Sequence, residues 1–98
     1  MIDLIHAWRH LFSAVVALAT DSGQVTERLK LAYFDHLVHI SPNPHLSEDL
    51  QADFAALMNE LRSAYPDRQA DSGAVDAARG SRLAKRVVSL YEAVTRKL

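Results

Sequence analysis

The chain has 98 residues, no cysteine and a formal net charge of −1 at pH 7. That excludes disulfides, zinc–thiolate sites and thiol catalysis, and it argues against a general nucleic-acid binder, which is basic overall. The length suffices for one domain, residues 1–98, with a single core, and a cysteine-free composition fits a cytoplasmic setting.

Apolar spacing is helical throughout, and no stretch alternates like an exposed strand. The first segment runs from about Ile2 to Thr20. Leu4, Ile5, Trp8, Leu11, Phe12, Val15, Leu18 and Ala19 form one broad apolar face, with Asp3, His6, His10 and Ser13 opposite. Its apolar run, Leu11 to Ala19, is too short to span a bilayer, which needs about 20 residues. With Asp3 and Trp8 ahead of it and no lysine, it also makes a poor secretory leader and is expected to be retained. Asp21-Ser22-Gly23 is a turn whose polar side chains can cap the next helix.

The second segment runs from about Gln24 to Ile40. Val25, Leu29, Tyr33, Leu37 and Ile40 make one stripe, and Leu31, Phe34 and Val38 a second. A helix apolar on two sides is central in its domain or half covered by another molecule. Ser41-Pro42-Asn43-Pro44 ends it, because each proline biases the preceding residue away from the helical region. The third segment starts at Ser47, a good N-cap, with Glu48 and Asp49 in the first turn where the helix dipole favours acids. Leu50, Phe54, Leu57, Met58, Leu61 and Tyr65 line one face, and Pro66 stops it. Asp67 to Gly73 is polar and expected to be mobile. In the fourth segment Leu83, Val87, Leu90, Tyr91, Val94 and Leu98 share a face. Gly80-Ser81 weakens its first part, so the well-formed helix is expected from about Ser81.

Charge is sorted along the chain. Glu48 to Asp76 holds seven acids against Arg62 and Arg68, whereas Ala77 to Leu98 holds Arg79, Arg82, Lys85, Arg86, Arg96 and Lys97 against Glu92 alone. A basic amphipathic helix can contact phosphates, anionic membrane or an acidic partner. The same cations can instead complement the dipole of their own helix, or pair with the acids of the third segment. No aromatic residue interleaves with them, which weakens single-strand nucleic-acid binding.

Five histidines are the other chemical candidate. His6 and His10 are spaced i,i+4 and His36 and His39 i,i+3, both compatible with metal ligation from one helical side. The helical wheel separates them, however: His6 and His10 point away from the face that meets the second segment, and His39 lies on a polar strip. No Glu-x-x-His or His-Glu-x-x-His pattern is present. Surface histidines and one core histidine, with no metal and no cofactor, are therefore expected. The chain has no G-x-S-x-G, P-loop or dinucleotide-binding pattern, and no small-molecule substrate is indicated.

Short connections favour antiparallel neighbours, so the expected fold is all-α, an up-down-up-down four-helix bundle that a second copy can complete. The expected function is that of a non-enzymatic protein-interaction or regulatory domain. It self-associates, as a homodimer first, through Leu31, Phe34 and Val38, and its segregated charge selects a protein partner. Two alternatives remain: polyanion binding through the basic C-terminal helix, and a histidine-based metal-binding bundle.

Overall fold

The computed structural model describes residues 3–20 and 22–98. Ile2 and Asp21, placed by the sequence at the head of the first segment and in the turn after it, lie outside the described residues. Helix α1 spans Leu4–Thr20, α2 Val25–Asp35, α3 the single turn Pro42–His45, α4 Glu48–Ala64 and α5 Ala77–Lys97. Two 3-10 turns, Leu37–His39 and Ser72–Ala74, lie between them, and the described residues contain no strand. No described helix is long and apolar enough to cross a membrane.

The four long helices α1, α2, α4 and α5 run up, down, up and down, and specific cross-links fix each direction. The Arg28 guanidinium at the start of α2 donates to the Leu18 carbonyl near the end of α1 (2.9 Å). The Trp8 indole early in α1 donates to the Thr95 hydroxyl late in α5 (2.9 Å). Lys97 at the end of α5 pairs with Asp49 at the start of α4 (3.0 Å), and Arg86 pairs with Glu60 midway (2.8 Å).

The buried line of α1 differs from the expected one. It consists of Ala7, Leu11, Ala14 and Ala17, while Ile5, Phe12 and Val16 are exposed. Alanine lets helix axes approach toward the short end of the usual range of about 8–10 Å. Both α2 and α5 pack onto this line, so the bulky residues are turned to its rim. Trp8 and Phe12 stack there beside Tyr91 of α5.

Helix α2 stops at Asp35, short of the expected Ile40. The chain leaves the helical region at His36 (φ −130°, ψ −55°) and tightens into Leu37–His39. Residues three apart eclipse in a 3-10 turn. Leu37 and Ile40 therefore face the core together, while Val38 and His39 stay outside. The second apolar stripe is thus broken, since Val38 lies beyond the helix that carries Leu31 and Phe34.

Helix α5 begins earlier than expected, at Ala77. The Asp76 carboxylate caps it by accepting the Arg79 N–H (2.8 Å). Gly80 sits inside the helix and is buried because α5 crosses α2 there. A Cβ on Gly80 would lie 2.9 Å from the Thr26 γ-methyl. Thr26 is itself buried, and its carbonyl accepts the hydroxyl of buried Tyr65 (2.7 Å). Burial raises the Tyr65 pKa above the ordinary phenol value, against the opposing influence of Arg79. Gly23 turns the chain between α1 and α2 with φ +96°, a conformation that costs glycine little.

The polar segment 67–73 is tied down at several points. Arg68 bonds Asp35 and the Phe34 carbonyl (both 2.9 Å), Lys30 donates to the Ala70 carbonyl (2.7 Å), and Asp71 accepts the Gly73 N–H (2.8 Å). Ser47 stands at the N-cap of α4 with extended backbone, but its hydroxyl makes no cap hydrogen bond.

Candidate functional site

The break after α2 and the single turn of α3 have a consequence the helical wheel does not foresee. They fold His39 and His45 back over the first turns of α1, where His6 and His10 project. The His6 ring lies 3.9 Å from His45 and 4.6 Å from His10, centroid to centroid, and His10 lies 5.5 Å from His39. The histidines expected to stay apart are therefore gathered at one end of the bundle. His10 is held below the ordinary imidazole pKa by burial first, then by His6, His39, His36 and His45. His45 is lowered by burial and then by His6, with Asp3 acting the other way.

Asp3 completes this end. One of its carboxylate oxygens accepts the His6 N–H (3.2 Å), placing it as the cap of α1. Asp3, His6 and His45 each offer one ligand atom, and these atoms all lie within 4.8 Å of one another. The Nδ1 of His45 accepts the N–H of exposed Ser41 (2.9 Å). Sequence reasoning passed over Asp3 and His45. Asp3 reads only as part of the polar face of the first segment, and His45 follows two prolines where no helical face can be assigned.

The apolar candidates divide. Leu31 and Val38 are 42% and 43% exposed. Phe34 is half-buried against the core, with the Arg68 guanidinium 5.4 Å from its ring centre. Its own subunit therefore covers part of the surface expected to bind a second copy. The exposed side chains of α1 lie nearby: Phe12 and Val16 share one groove with Asp35 and His36, and Leu31 is one turn before Asp35 on the same face of α2.

The basic residues divide too. Arg86 pairs with Glu60, Arg96 with Glu92 one turn earlier, and Lys97 with Asp49. The Ser47 hydroxyl and then the Lys97 ammonium hold the Asp49 carboxyl below its ordinary pKa. Arg79, Arg82 and Lys85 have no ion-pair partner among the described residues. Two of the six basic residues thus meet acids of the third segment, as the charge order allows, and a third pairs within its own helix.

Comparison with protein-family models, with curated proteins and with solved structures finds no match to this chain.

Proposed function

We propose that this chain is a non-enzymatic binding domain of a cytoplasmic setting that self-associates through the outer side of α1 and α2. One observation carries the reading. Helix α1 buries alanines and leaves Ile5, Phe12 and Val16 outside, next to Leu31 of α2, and Val38 of the 3-10 turn after α2 is outside as well. These are five of the seven large hydrophobic residues that the described surface exposes. Contiguous exposed apolar surface on a small domain marks an association site.

A second copy suits this surface better than a partner of one charge. Glu27 and Asp35 lie among its apolar residues, and Lys30 and Arg68 lie at its border. A rim with both signs complements itself across a two-fold axis, the commonest symmetry of oligomers. Leu31 and Val38 keep the role expected from the sequence. Phe34 contributes only the edge that Arg68 leaves open, and Phe12 and Val16 join the surface.

Light scattering on the wild type and on Val16→Asp with Leu31→Asp tests this. Both positions are exposed, so the variant should keep its helical circular dichroism. A wild-type mass of two chains, falling to one chain in the variant, supports the proposal. A wild type that stays monomeric at high concentration removes it.

A further inference from the structure

The histidine end of the bundle carries a second inference, independent of self-association. We propose that Asp3, His6 and His45 form a binding site for a divalent transition metal ion of the zinc class. The three donors come from the cap of α1, its first turn and the end of α3, so the tertiary fold assembles the site.

The geometry is close to what such an ion requires. Donors bound at about 2.0–2.1 Å in a tetrahedron lie about 3.4 Å apart. Here the ligand atoms lie within 4.8 Å of one another, so a contraction of up to about 1.4 Å brings the three donors to coordination distance. The side chains can make that movement: Asp3 is exposed and both imidazoles are half-buried. The centres of the two His rings are 3.9 Å apart and the rings are tilted by 31°, so they must splay apart by about 1 Å to turn one nitrogen of each toward a shared ion.

Donor chemistry selects the ion. Two imidazoles and one carboxylate favour Zn²⁺, Ni²⁺ or Cu²⁺, whereas Mg²⁺ and Ca²⁺ prefer all-oxygen shells. Three protein ligands leave one position open to water. His45 must release the Ser41 N–H to bind, because Nδ1 either meets the ion itself or takes up the ring proton when Nε2 does. Ser41 is exposed, so water can satisfy that N–H. Asp3 can cap α1 through one oxygen and meet the ion through the other.

The test is calorimetric titration of the tag-free chain with zinc chloride, with light scattering on the same samples. Wild type should bind one ion per chain. His6→Gln and His45→Gln should each weaken binding at least ~10-fold. Asp3→Asn keeps a good helix cap, so a loss of affinity there with unchanged helicity reports the carboxylate as a ligand. His36→Gln, outside the three-residue set, should change affinity less than about 2-fold. With Co²⁺ in place of zinc, the absorption of a four-coordinate ion should appear in wild type and vanish in His6→Gln. The proposal is overturned by wild-type binding no tighter than ~1 mM. It is equally overturned by equal losses in His36→Gln and His6→Gln, or by one ion held between two chains.

Discussion

The two ends of this bundle are built on opposite plans. At one end α2 and α5 begin and α4 finishes. There Gly80 lets α5 close onto Thr26, and buried Tyr65 hydrogen-bonds the Thr26 carbonyl. At the other end α1 begins and the chain doubles back through α3, and imidazoles crowd together half in water. The first end is fixed by a backbone approach with no room to adjust. The second is held by side chains that can still move. A rigid end stabilises the fold, and a mobile cluster of donors can meet a ligand, so substitutions should be costly at the first end and mild at the second.

The sharpest way to break that contrast is Gly80→Val. A branched side chain has no space beside the Thr26 methyl, and overpacking of this kind costs about 1–3 kcal/mol. We expect a loss near the top of that range and a Tm lower by ~10 °C or more, at about 4–8 °C per kcal/mol. Gly80→Ala should lose less, because alanine regains about 1 kcal/mol of helix propensity. Thr26→Ser should relieve it further by removing the methyl. An unchanged Tm for Gly80→Val would mean that the helices do not approach as described.

Tyr65→Phe comes next. It removes one buried hydrogen bond, worth about 0.5–1.5 kcal/mol, and it should also alter the alkaline limb of stability. The folded-state pKa of Tyr65 is raised, so the unfolded chain loses this proton first. Stability is complete below the unfolded value of about 10 and falls as pH rises beyond it. Urea titrations between pH 8 and pH 11 should show a fall in wild type that is shallower in Tyr65→Phe.

The histidine end should respond to acid. The folded-state pKa values of His10 and His45 are lowered, so the unfolded chain binds protons first. Their contribution is complete above the unfolded value of about 6.5 and is lost as pH falls below it toward the folded values. Asp49 acts in a separate window, since its lowered carboxyl matters only below about pH 4. Thermal melts should show Tm falling from pH 7.5 to pH 5, and His10→Gln with His45→Gln should flatten that slope. A wild-type Tm independent of pH across this range would show that neither burial nor mutual repulsion lowers these imidazoles.

The smallest effect is expected for Arg86→Ala. Its pair with Glu60 is 38% and 51% exposed, and such bridges contribute about 0–1 kcal/mol. A larger loss, measured by denaturant titration, would show that the α4–α5 seam relies on charge more than on the packing of Leu57 and Leu90.

Much of the fold was legible because it depends on local chemistry. The proline pair, the first-turn acids of α4 and the apolar stripes of α4 and α5 each act within one or two helical turns. Leu50, Phe54, Leu57 and Leu61 are buried as their spacing requires, and so are Leu83, Val87, Leu90 and Val94. The face of α1 departs from its pattern because bulk is not the sign of burial there. Where two helices press close, the small residues Ala7, Ala14 and Ala17 are the ones inside. The start of α5 was placed late for a related reason. Gly80 is a poor helix former in isolation, but here the absence of its side chain allows the crossing with α2.

Periodicity, proline placement and short connections determined that this chain is a four-helix bundle with antiparallel neighbours. Tertiary packing alone decided which side of α1 faces water, where α2 ends, and that Asp3, His6 and His45 meet. Those outcomes depend on contacts between residues up to 87 positions apart, and a helical wheel records only the angle of a side chain about its own axis.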